Sequence, residues 1–141
     1  MAATLDRAHP GALHPFHAAV LAGTIPLFLA ALLSDIAYAQ TYYVQWTNFA
    51  SWLVSGGLLF GGIALVLALV GLRHPDRRRG RYFVYCALLL AMWILGFVNS
   101  LVHAKDAWAS MPGGLILSAV GTILACVATW IGFSSLQGDR A

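Results

Sequence analysis

Six side chains have the type and spacing to do chemistry: Asp35, Tyr38, Asn99, His103, His14 and His17. His103 ends the stretch NSLVH four residues after Asn99, so on a helix the amide and imidazole share a face, with Gly96 leaving space beside them. Imidazole exchanges a proton near neutral pH and is the commonest metal ligand. Asp35 follows an apolar run, where lipid and a helix C-terminus both disfavour an anion, so it needs a partner. A hydrogen-bonded Asp35–His103 pair with Asn99 and Tyr38 attached is the sharper expectation. The plainer one leaves both side chains reaching interfacial water, or Lys105 and Asp106 supplying the charge partners.

A second cluster, HPFH, opens the first apolar segment. Pro15 suits a first helical position, and His14 and His17 then project from the first turn on roughly one side. A helix N-terminus disfavours protonated imidazole, which leaves rings able to accept or to coordinate. Two histidines fall short of a structural zinc site, which takes four ligands, and the same side adds only His9 and His74. The metal question stays open. Haem b needs axial ligands on facing helices, and these histidines sit at helix edges. Met92 or Met111 would have to stand in beside His103, so a bis-histidine, two-haem cytochrome is not expected. A single haem or a quinone near one edge is compatible with the residues.

The elements that must position these groups follow from composition. The chain has 141 residues, 60% hydrophobic and only 9% charged, with no Glu. Soluble domains carry about 25% charged residues. Four apolar segments, about 17–38, 48–72, 82–103 and 114–136, each suffice to cross a ~30 Å hydrocarbon core. Ala37-Tyr38-Ala39 after the first segment is similar to a signal-peptidase site, but the run is long for a leader and Asp35 sits awkwardly before the site, so helix one is read as retained. Connections of roughly nine or ten residues make consecutive helices antiparallel neighbours. The expected fold is all-α: an integral-membrane up-down four-helix bundle forming one transmembrane domain.

Seven of the eight basic residues, Arg7, Arg73, Arg77, Arg78, Arg79, Arg81 and Arg140, fall on one side, and Lys105 alone on the other. That asymmetry puts both termini in the cytoplasm. The turn RHPDRRRGR is read as a topology signal that meets anionic lipid heads rather than nucleic acid. Tyr38, Tyr42, Tyr43, Trp46 and Trp108 form outer interfacial aromatics. Small-residue stripes at four-three spacing run along helix two (Gly57, Gly61, Ala64, Ala68, Gly71), helix four (Ser118, Thr122, Ala125, Thr129, Gly132) and helix one (Ala19, Gly23, Pro26, Ala30), with Pro26 a candidate kink. They predict a tight bundle, with one stripe available for a second copy or partner. Cys86 and Cys126, both inside apolar runs, suit buried small side chains better than a disulfide.

His14-Pro15-Phe16-His17, Asp35 at its distance, WTNFASWL (Trp46–Leu53), NSLVHAKDAW and TWIG (Thr129–Gly132) together resemble the bacterial integral-membrane family known as domain of unknown function 2231. The resemblance covers about His14 to Leu136. Ala18 departs from the second proline of the opening motif, and Ala22 and Thr24 from prolines frequent in relatives. The resemblance implies a four-helix inner-membrane protein in a redox setting, beside periplasmic dehydrogenases or c-type cytochromes.

The first functional expectation is therefore a small inner-membrane subunit or anchor for a periplasmic redox partner, relaying electrons to quinone or a single haem. The second is a purely structural membrane scaffold. A proton or solute carrier is weaker, since no mid-membrane charge or internal repeat is present. Soluble-type enzyme chemistry finds no support: there is no P-loop, dinucleotide fingerprint or nucleophile elbow.

Overall fold

The computed structural model describes residues 13–73 and 80–134. Most of the Arg-rich turn, Arg7, Arg140, His9, His74 and the last predicted turn of helix four lie outside the described residues. Four helices follow in order: α1 (Pro15–Thr41), α2 (Val44–Gly71), α3 (Gly80–His103) and α4 (Gly113–Ser134). All four are long and apolar enough to cross a membrane. At 1.5 Å per residue even the 22-residue α4 spans roughly 33 Å. α1 packs against α2 and α4, and α3 packs against the same two, which makes a square up-down bundle.

The ends differ from expectation at one corner. α1 runs three residues further than predicted and α2 starts four earlier, so Tyr42 and Tyr43 alone connect them. Tyr42 adopts a left-handed conformation (φ 58°) and its N–H closes on the Tyr38 carbonyl at 2.8 Å. The Thr41 hydroxyl donates to the Ala37 carbonyl. Polar interfacial residues thus continue the helices because their backbone groups stay paired. Between α3 and α4 a short 3-10 turn (Ala107–Ser110) occupies what was expected to be loop. At the other end of α1, Pro15 takes the first turn as anticipated, and α1 continues past Pro26 without a break.

Packing rests on rings seated in glycine notches more than on backbones in contact. Phe28 of α1 is 1% exposed. A Cβ built on Gly57 of α2, Gly96 of α3 or Gly121 of α4 would lie 2.9, 3.3 or 3.4 Å from its ring. A side chain at Gly57 would displace the ring, one at Gly96 would crowd it, and one at Gly121 would just touch it. Gly61 receives the Met92 methyl, and Gly132 receives Leu21 and Tyr85. Dispersion contacts of this kind stabilise helix pairs in lipid, where apolar burial alone gains little.

The stripe on α2 is buried throughout, and that on α4 is buried except for half-buried Thr122. The stripe on α1 is not: Ala19 and Pro26 are exposed, and the buried face is Val20, Leu21, Thr24, Phe28, Ala31 and Asp35. Large residues one position away complement the small faces of α2 and α4, so α1 turns them inward. Cys86 is buried, whereas Cys126 is exposed, and both are free thiols.

Candidate functional site

The end of the bundle holding the α1 and α3 C-termini contains a closed hydrogen-bond ring. His103 Nε2 and Asp35 Oδ1 are 2.8 Å apart, and both side chains are fully shielded. The Ser118 hydroxyl donates to Asp35 Oδ2 at 2.6 Å, and Asn99 Nδ2 donates to Ser118 Oγ at 2.9 Å. His103 Nδ1 lies 3.0 Å from the Asn99 carbonyl and closes the ring. The elements dictate this meeting. Asn99 and His103 occupy the last turn of α3, Asp35 stands six residues before the end of α1, and Ser118 stands five residues into α4. Gly114 admits the imidazole, since a Cβ there would lie 2.8 Å from His103 Cε1.

Hydrogen-bond bookkeeping fixes most protons. A carbonyl only accepts, so His103 Nδ1 carries hydrogen. Ser118 spends its one proton on Asp35, so its oxygen accepts from Asn99, which orients that amide with Nδ2 toward Ser118. One proton remains, between His103 Nε2 and Asp35 Oδ1. Whichever atom holds it, the pair is neutral overall, which is how a carboxylate and an imidazole are tolerated in a shielded site. Asn99 Oδ1 is buried and without a partner.

The sequence-derived residues divide accordingly. Asp35, Asn99 and His103 meet as expected. Tyr38 is buried one turn further along α1, but it packs edge-on against Tyr42, with ring centroids 6.3 Å apart, and does not join the ring. His14 and His17 part company. His14 is exposed and its Nδ1 accepts from the Phe16 N–H, capping α1. His17 is buried, with Nε2 3.0 Å from the Tyr85 hydroxyl. Among the described residues no group of three metal-ligating side chains assembles. Ser118, the residue that ties the ring to α4, was read only as a small residue in a packing stripe. Its signal was a hydroxyl on the inward face at the same depth as Asn99.

A haem does not fit this donor set. Both nitrogens of His103 are engaged, Met92 lies with its methyl in the Gly61 notch, and His17 is bonded to Tyr85. A quinone differs, because its hydroxyl form donates hydrogen bonds and Asn99 Oδ1 offers an unused acceptor.

Four apolar spans around a shielded polar ring define a multi-pass helical membrane protein. Residues 13–137 match the family described as Predicted membrane protein (DUF2231), and the chain belongs to that family. No curated protein and no solved structure matches it.

Proposed function

We propose that the chain is a non-catalytic four-span module of the bacterial inner membrane, both termini cytoplasmic, that anchors a redox partner at the periplasmic face. Arg73 and Arg81 stand at one end of the bundle and Lys105 at the other, which supports that orientation. The observation that carries the anchor reading is the closure of the ring. Asp35, Ser118, Asn99 and His103 are bonded to one another and shielded, with Asn99 Oδ1 alone left over, so they fix three helices instead of presenting a reactive group. The same end of the bundle carries the outer connections, where Tyr42, Tyr43 and Trp108 are exposed and Tyr42 stacks on Trp108 at 5.9 Å. That surface, flanked by exposed Lys105 and Asp106, is the docking face. The redox nature of the partner, a dehydrogenase or c-type cytochrome, rests on the setting that the family resemblance implies.

Replacing the buried pair by apolar side chains tests the anchor reading, since such swaps conserve stability when the polar groups only hold shape. The Asp35→Leu/His103→Leu variant is expected to keep partner recruitment to membranes and to remain folded in detergent. A folded variant that loses partner activity refutes a purely anchoring role. Labelling Lys105 with an impermeant reagent in intact spheroplasts tests the orientation: modification without lysis is expected, and protection until lysis overturns it.

The unpartnered Asn99 Oδ1, on the residue that donates to Ser118, favours one second reading, a quinol that displaces the shielding side chains to reach it. Asn99→Leu removes that acceptor. Loss of quinone-dependent activity with stability retained would establish the second reading over the first. A reduced-minus-oxidised spectrum of the purified protein is expected to lack haem bands.

A further inference from the structure

At the opposite end of the bundle, a groove of about 510 Å³ runs between α1 and α4, lined by Ile25, Cys126, Thr129, Trp130, Phe133 and Ser134. From Cys126 to Ser134 it follows eight residues of α4, roughly 12 Å along the axis. Its deep part is apolar and faces lipid. Its outer end is different. Arg81, exposed at the start of α3, donates from Nη2 to the Ser134 hydroxyl at 2.8 Å, which sets a guanidinium at the mouth. That bond uses one of five N–H donors in a fork suited to phosphate. In the wall, Thr129 has a shielded hydroxyl with no hydrogen-bond partner. Thr129 lies five residues, roughly 7.5 Å, inward of Ser134, comparable with the ~5–7 Å interfacial layer between phosphate and hydrocarbon.

We infer that this groove is a discrete site for one anionic phospholipid, with an acyl chain along Ile25, Cys126 and Phe133 and the phosphodiester on Arg81 and Ser134. On a change of χ1 rotamer the Thr129 hydroxyl donates to a glycerol ester carbonyl. A similar-sized groove between α2 and α3, from Leu58 to Leu67 with Trp93 opposite, has an entirely apolar lining apart from an indole already bonded to the Leu58 carbonyl. None of its lining residues is charged. Of these two grooves, among the described residues, the one between α1 and α4 has a guanidinium bonded at its mouth.

Native mass spectrometry of the purified full chain, offered phosphatidylglycerol or phosphatidylcholine with identical acyl chains, tests the assignment. The expected result is one retained phosphatidylglycerol in preference to phosphatidylcholine. Arg81→Gln should weaken that retention about fivefold, the worth of one cation near an anionic head group. Arg73→Gln, at the same end but in the turn after α2, should leave it unchanged. Cys126→Trp, which fills the groove from an exposed position, should abolish retention with Arg81 in place. Equal retention of both lipids, an unchanged Arg81→Gln variant, or equal losses from Arg73→Gln and Arg81→Gln overturns the site in favour of diffuse attraction to the basic end. A melting temperature for each variant separates lost binding from lost folding.

Discussion

Removing Asp35 and His103 singly and together shows whether they act as one unit. In the Asp35→Ala variant, His103 keeps its Nδ1 bond to the Asn99 carbonyl, but Nε2 and the Ser118 hydroxyl lose their partner. In His103→Ala, Asp35 keeps only the Ser118 donor. Breaking one side of a buried pair costs about 3–5 kcal/mol, because the survivor is left shielded and unpaired. The lower figure applies here, since the surviving imidazole or carboxyl can become neutral. Each single variant is expected to lose about 3 kcal/mol, roughly a hundredfold in the folding equilibrium. The double variant removes both polar groups, so its loss should be little more than either single one. That leaves a coupling of about 2–3 kcal/mol. Interhelical hydrogen bonds within membranes average only ~0.6 kcal/mol and reach ~1.7 at most. A coupling above that ceiling would mark a charge-assisted pair, and one at the average an ordinary hydrogen bond. Reversible unfolding in mixed micelles measures all four states. Strictly additive losses would refute the claim that the residues satisfy each other.

Three further outcomes follow from the same geometry. Gly114→Ala places a methyl 2.8 Å from His103 Cε1 and should destabilise the fold by about 1–3 kcal/mol, read as a lower melting temperature, whereas in a His103→Ala background the same change should cost little further. Phe28→Ala empties the space that Gly57, Gly96 and Gly121 leave for the ring and should cost about 3–5 kcal/mol in the same unfolding assay. Tyr85→Phe removes the hydroxyl bonded to His17, with an expected loss of about 1 kcal/mol and no change in cysteine labelling at Cys126.

Much of the fold was legible because lipid imposes a coarse code. Span number needs only the runs of apolar residues, and the Asp35–His103 contact followed from two polar residues ending helices that run the same way. Helix ends were less legible. Tyr42 in a left-handed conformation cannot be read from the sequence YY, and without it the first connection looks like a nine-residue loop. The facing of α1 was only partly legible: of its stripe, Gly23 does admit the Phe60 ring of α2, a Cβ there lying 2.6 Å from it, but Ala19 and Pro26 are exposed and the inward face is set by Phe28. Ser118 was overlooked because a small residue in a stripe and a hydrogen-bond donor to a carboxylate are the same side chain in different company.

One feature of spacing ties the two ends of the bundle together. His17 and Asp35 are 18 residues apart on α1, and Tyr85 and His103 are 18 apart on α3. Eighteen residues make five turns, so each pair lies on one face, roughly 27 Å apart along the axis. α1 and α3 are diagonal in the square, about 11–14 Å apart if neighbours sit at ~8–10 Å, so side chains and not backbones bridge them. His17 meets Tyr85 at one end and Asp35 meets His103 at the other. The interval nearly equals the ~30 Å hydrocarbon thickness. Both polar clasps therefore fall near the ends of the spans, and Phe28, Leu89 and Met92 fill the middle. The diagonal is fastened where polar groups are least costly and packed where they would be most costly. That arrangement accounts for an imidazole at the end of an apolar helix as a fastening between α1 and α3.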